Sequence, residues 1–203
     1  MGIAAGLEIA PLTDARWLDL VDLFGPRGAD AGCWCMFFRV SSKDWSWTGD
    51  EGNRAALHAL AGSDPAPGLL AYADGQAVGW VGLGPRTTFE RLNRSRKYPP
   101  LDELSVWSVV CFFVRRAARS GGVADALLSA AVAYARDHAD GVEGYAVEPQ
   151  GRISPADAYH GTVGMFERAG FRRARKATSP GGRHDRWIMR LEFKASSGPK
   201  AVG

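Results

Sequence analysis

The stretch from Val106 to Arg136 restricts this chain more than any other. Val106 to Val114 is rich in β-formers and apolar at odd and even positions alike. A strand that is apolar on both faces must be covered on both faces, so it belongs at the centre of a sheet. Val123 to Arg136 then places Val123, Leu127, Leu128, Ala131 and Tyr134 along one helical stripe. A buried strand that feeds directly into a one-sided helix calls for helices layered on a sheet.

Between them lies Arg115-Arg116-Ala117-Ala118-Arg119-Ser120-Gly121-Gly122. Helix N-termini carry unpaired N–H groups and the positive end of the helix dipole, and both attract phosphate. Gly121 and Gly122 remove the Cβ atoms that would hold a pyrophosphate off the backbone. Arg115, Arg116 and Arg119 add positive charge. No Gly-Lys-Ser/Thr follows, so the loop is not a Walker A sequence, and the Gly-x-Gly-x-x-Gly spacing of dinucleotide folds is absent.

Leu7 to Leu12 reads as a first strand. Thr13 can cap a helix carrying Trp17, Leu20, Val21 and Phe24, and Gly25 can end it. Residues 26–47 read as an aromatic loop, and a second helix is expected over Asp50 to Ala61. Leu69–Ala73 and Gln76–Leu83 form a hairpin across Asp74-Gly75, a pair suited to a type I′ turn. Residues 84–105 read as an inserted loop. Gly141 to Val147 is a further strand. Ser154-Pro155-Ala156-Asp157 is a helix start, with a capping Ser, Pro at the first position and an acid behind it; Thr162 can cap a second short turn. Phe171–Lys176 and Arg183–Phe193 close the chain as a hairpin across Ser179 to Gly182. The resulting class is α+β, three-layered α/β/α, with a mixed sheet.

The chain has 203 residues, 46% of them hydrophobic, which suits one domain with a full core. Residues 1–193 are read as that domain and 194–203 as a flexible tail. No run is long and apolar enough to span a membrane, and no secretory leader stands at the start. With three cysteines there is no disulfide framework, so the cytoplasm is the expected location. A net charge of +3 is too small for a dedicated nucleic-acid binder, and no docking motif accompanies the basic clusters at Arg86–Lys97 and Arg172–Arg186. The Ala, Gly and Arg content fits a bacterial source.

Arg119-Ser120-Gly121-Gly122-Val123-Ala124 resembles the Gln/Arg-x-x-Gly-x-Gly/Ala signature of the GNAT N-acetyltransferase superfamily. Cys111-Phe112-Phe113-Val114 resembles its coenzyme strand, Ala126-Leu127-Leu128 its signature helix, and Phe166 to Phe171 its later aromatic–Gly-Phe element. The resemblance implies a mostly antiparallel sheet of six to seven strands with a splayed central parallel pair. It implies acetyl-coenzyme A as co-substrate, with no metal, and direct transfer of the acetyl group to an amine of a small molecule or peptide. The backbone of Phe112, Phe113 and Val114 would take the pantetheine arm. Arg119, Ser120, Gly121, Gly122, Val123 and Ala124 would hold the pyrophosphate. A homodimer is left open, and no nucleic-acid or membrane partner is expected.

Catalytic roles are less direct. The family's proton-donating Tyr falls at Phe166, which has no hydroxyl, so Tyr159 is the nearest substitute and Tyr145 another. Ser108 stands where histone-modifying members carry a basic Glu and could hold a water. Glu103 and Asp102 are the nearest carboxylates, with Glu143 and Glu148 further on. A coenzyme-A-binding module without turnover is the competing reading. Cys33 to Arg39, with Trp45 and Trp47, can form an aromatic pocket for a flat or cationic acceptor, or can fold down as core. The Cys-x-Cys pair lacks further ligands at zinc spacing.

Overall fold

The computed structural model describes residues 6–177 and 184–193. Among the described residues seven strands form one sheet: β1 (Glu8–Pro11), β2 (Gly68–Ala73), β3 (Gln76–Pro85), β4 (Val106–Val114), β5 (Gly141–Glu148), β6 (Arg172–Lys176) and β7 (Asp185–Glu192). Their spatial order is β1-β2-β3-β4-β5-β7-β6. Only the central β4–β5 neighbours run parallel; the other pairings are antiparallel.

Helices cover both faces. On one, α1 (Trp17–Phe24) and α2 (Ser42–Ala61) close a core with Leu20, Phe24, Trp34, Leu57, Trp80 and Tyr145. On the other, α4 (Val123–Ala135) and α6 (Val163–Arg168) close a core with Trp107, Val109, Leu127, Val142 and Phe166. Two short helices, α3 (Glu90–Asn93) and α5 (Pro155–Ala158), complete the α-helices of the described residues. No helix among the described residues is long and apolar enough to cross a membrane.

Local chemistry explains most boundaries. Asp74 and Gly75 take φ of 49° and 75°, the positive values a type I′ turn requires. The hydroxyls of Ser154 and Thr162 accept from the N–H groups of Asp157 and Met165, capping α5 and α6. Phe166 stands so close to β5 that a Cβ on Gly144 would lie 2.2 Å from its ring, so glycine lets that helix approach the sheet.

Three boundaries differ from the sequence expectation. The second helix starts at Ser42, where Ser41 caps it, and breaks at Gly49 (φ 59°) just before the expected start. The stretch 84–105 is a structured connection, with a 3-10 turn at Arg86–Thr88 and α3. Thr13 precedes a 3-10 turn and makes no side-chain cap bond. The expected Ser179–Gly182 turn and the 194–203 tail lie outside the described residues.

A feature of β4 went unread in the sequence. Gly82 pairs with Cys111 while Leu83 pairs with Val109, so Val110 is an extra residue, a β-bulge. The bulge puts the consecutive residues Val110 and Cys111 in the same core, and Phe112 on the opposite side of the sheet.

Candidate active site

The central pair opens beyond the bulge. β4 and β5 are paired from Val106↔Gly141 to Val109↔Gly144 and no further, although both strands continue. Residues 159–161 enter the gap. The Phe112 N–H donates to the Tyr159 carbonyl at 2.6 Å, and the Val147 N–H donates to the Gly161 carbonyl at 3.0 Å. Two of the backbone N–H groups at the splay are thus paired within the chain itself. One expected pantetheine contact, the Phe112 N–H, is already engaged there.

Beside the gap lies a cleft of about 890 Å³, lined by Phe112, Phe113, Val114, Arg119, Ala124 and Tyr159 among others. At its far end the chain turns from β4 into α4. Ser120 (φ 64°) and Gly122 (φ 79°) are both left-handed, a geometry glycine takes freely and serine rarely. Gly122 is the N-cap of α4 and has no side chain to cap with. The first-turn N–H groups of α4 are therefore left for an external acceptor, which is the chemistry of an anion site. Of the three arginines expected here, Arg119 lines the cleft. Arg115 is turned to Asp22 at 2.8 Å, and Arg116 opens the 3-10 turn.

Tyr159 reaches this cleft and the other two expected catalytic residues do not line it. Burial pushes the Tyr159 hydroxyl well above the ordinary tyrosine range, with Cys111 as the next cause, so it remains protonated at neutral pH. Ser108 is fully buried, with Oγ 2.8 Å from the Tyr145 hydroxyl. Glu103 is exposed on the turn leading into β4. The alternatives are engaged: Asp102 pairs with Arg190 at 2.9 Å, and Glu148 with Arg173 and the Trp187 indole at 2.7 Å each.

Glu143 anchors a buried network that sequence reasoning missed. Arg86 Nη1 lies 3.0 Å from its carboxylate and Arg190 Nη2 lies 2.7 Å from it. Arg86 also donates to the Tyr145 hydroxyl at 2.7 Å and to the Tyr98 carbonyl at 2.6 Å. Arg86, the first residue of the Arg86–Lys97 basic cluster, is thus buried. The signal was Glu143 itself, an acid at an inward position of a covered strand, which must find a cation.

His160 is the second unforeseen residue. It is buried, lies against Tyr159 with ring centres 4.0 Å apart and the planes tilted by 35°, and bonds the Val110 backbone. Burial, reinforced by the Arg186 charge, holds its pKa down to about 3. Between about pH 6.5 and that value the unfolded chain binds a proton that the folded chain refuses, so stability falls as pH falls. Urea unfolding should show about 2 kcal/mol lost through this group between pH 7 and pH 5. His160→Gln should flatten that dependence; an unchanged pH profile in the variant would reject the assignment.

The aromatic loop folds inward: Trp34, Cys35, Met36 and Phe38 are buried in the α1-side core. Phe37 stays at the surface, with the Arg91 guanidinium 4.3 Å over its ring. The second basic cluster is largely ion-paired, through Arg172–Glu192, Arg173–Glu167, Lys176–Asp185 and Arg186–Asp157.

A sequence model of the acetyltransferase (GNAT) family matches residues 34–171, more than half of the chain. The chain belongs to the GNAT acetyltransferase family. No curated protein sequence matches it significantly. Among solved structures, the fold is similar to histone acetyltransferase HPA2 and related acetyltransferase from Corynebacterium glutamicum, with a TM-score of 0.57, 19% identity, and 95% of this chain and 99% of that one covered. It is similar to yncA from Salmonella typhimurium, solved with its cofactor acetyl-CoA, with a TM-score of 0.52, 15% identity, and 97% and 99% covered. It is also similar to an acetyltransferase of the GNAT family from Streptococcus pneumoniae, with a TM-score of 0.52, 14% identity, and 93% and 99% covered. In this GNAT chain the open central pair, the uncapped helix start and the intervening cleft adjoin one another.

Proposed function

We propose that this GNAT chain transfers an acetyl group from acetyl-coenzyme A to an amine of a small molecule or peptide, by direct attack of the amine on the thioester. The observation that carries the reading is the cleft that joins the uncapped N-terminus of α4 to the open gap between β4 and β5. Backbone N–H groups from Ser120 to Ala124 hold the pyrophosphate, with Arg119 beside them. Tyr159, which lines the same cleft, donates its hydroxyl proton to the departing thiolate. Glu143 is held between two guanidinium groups. Asp102 and Glu148 are likewise paired, so the amine loses its proton to water or arrives neutral. Residues 1–193 are read as one acyltransferase domain, supported by strands that run from Glu8 to Glu192 around the matched segment.

Calorimetric titration with acetyl-coenzyme A tests the site. Wild type should bind, and Gly122→Trp should weaken binding roughly 100-fold, the loss expected when two charge-assisted hydrogen bonds are blocked. Absence of binding in the wild type would reject the proposal.

A second reading has its own observation: the Phe112 N–H is satisfied by Tyr159, and Phe166 cannot act as an acid. It makes the chain a coenzyme-A-binding module without turnover. Release of free thiol with any amine in a panel separates the two.

A further inference from the structure

The transfer chemistry uses none of the three thiols, yet two of them meet. Cys35, in the loop between α1 and α2, and Cys111, on β4, bring their sulfur atoms to 3.0 Å. Both are buried, at 6% and 9% exposure. Cys33 points elsewhere, toward the Gly28 carbonyl at 3.9 Å.

Both partners are aimed by unusual backbone. Trp34 and Cys35 are consecutive non-glycine residues in the left-handed region, with φ of 42° and 52°. That conformation costs free energy and persists only where the surroundings enforce it. On the other side, the Val110 bulge turns Cys111 into the α1-side core. The Trp80 indole N–H donates to the Cys35 sulfur at 3.1 Å and fixes its position. Simple packing would need neither the strained loop nor an N–H directed at sulfur.

We propose that Cys35 and Cys111 are a reversible dithiol–disulfide pair that, when oxidised, fastens the α1–α2 loop to the strand leading into the cofactor cleft. Hydrogen peroxide is the oxidant. The sulfur of one thiol attacks the peroxide, the O–O bond breaks, and a sulfenic acid and one water form. The second sulfur displaces the sulfenic oxygen, the S–S bond forms, and a second water leaves with the remaining thiol proton. Two thiols are oxidised and one peroxide is reduced to two waters. A small dithiol such as dithiothreitol reverses the change by taking up the disulfide itself. Cys111 adjoins Phe112, so the bond would lock the first residue of the cleft wall to the loop.

The test uses the wild-type chain. Reduced protein is treated with hydrogen peroxide, quenched with catalase, denatured in N-ethylmaleimide, and examined by intact mass and peptide mapping. Untreated protein, with three free thiols, should take three labels. Treated protein should take one, on Cys33, and yield a linked Cys35–Cys111 peptide; dithiothreitol should restore three. Cys33→Ser should give the same link with no label. The bond closes a long loop, so melting should rise by about 10 °C on oxidation, and Cys35→Ala should not show the rise. Three labels after treatment, or a bridge that includes Cys33, would overturn the proposal.

Discussion

Glu143→Ala should cost the folded protein about 3–5 kcal/mol, the range found when one partner of a buried ion pair is removed. Glu143 is fully buried, and the two guanidinium groups that flank it are only 7% and 2% exposed. Arg190 would keep Asp102, which reaches it from the more exposed side. Arg86 would keep only neutral oxygens, from Tyr145 and Tyr98. The charge left behind is therefore that of Arg86, in an environment that cannot hydrate it. Glu143→Gln preserves the shape and one acceptor and should cost less. Equilibrium urea unfolding measures both, and a midpoint shift of more than about 1 M is expected for the alanine variant. A loss below about 1 kcal/mol would mean that water reaches the network and that the carboxylate is not its anchor.

Tyr159→Phe should lower kcat for acetyl transfer by about 10²- to 10³-fold while the KM for acetyl-coenzyme A changes little, since the proton is given only as the thiolate departs. Tyr159 lines the cleft and the variant keeps its ring and backbone, so binding should survive. Burial keeps the wild-type hydroxyl protonated well beyond neutrality, so its loss should not be rescued by raising the pH. Steady-state thiol release with a responsive amine reads both constants. A kcat within about threefold of wild type would pass the acid role to water. The contrast with Gly122→Trp is informative: that variant should lose binding first, and this one the chemical step.

Much of the frame was legible in the sequence because local chemistry specified it. Val106–Val114 was readable as a covered strand from its two-sided apolar pattern, and Asp74-Gly75 as a tight turn from its tolerance of positive φ. The glycines ahead of Val123 marked the helix start. What escaped depended on contacts between distant segments. The Val110 bulge has no compositional mark, because its neighbours are apolar whichever face they take. Arg86 could not be told from the surface arginines near it, since its partners come from 57 and 59 positions along the chain. His160 stands next to the candidate acid, but its burial depends on the splay and on Phe38 from the aromatic loop.

The open central pair also has a mechanical reading. Four strands lie on one side of it and three on the other, and the halves share backbone rungs only from Val106 to Val109. Those rungs act as the spine of a book whose pages part toward Val114. At about 3.3 Å per residue the free edge beyond the spine is roughly 16 Å long, so a rotation of about 4° would widen its outer end by about 1 Å. The links at Phe112 and Val147 act three residues beyond the last rung, where a force has more leverage than at the spine. The peptide between Tyr159 and Gly161 is thus a spacer, and its length sets how wide the book stands open.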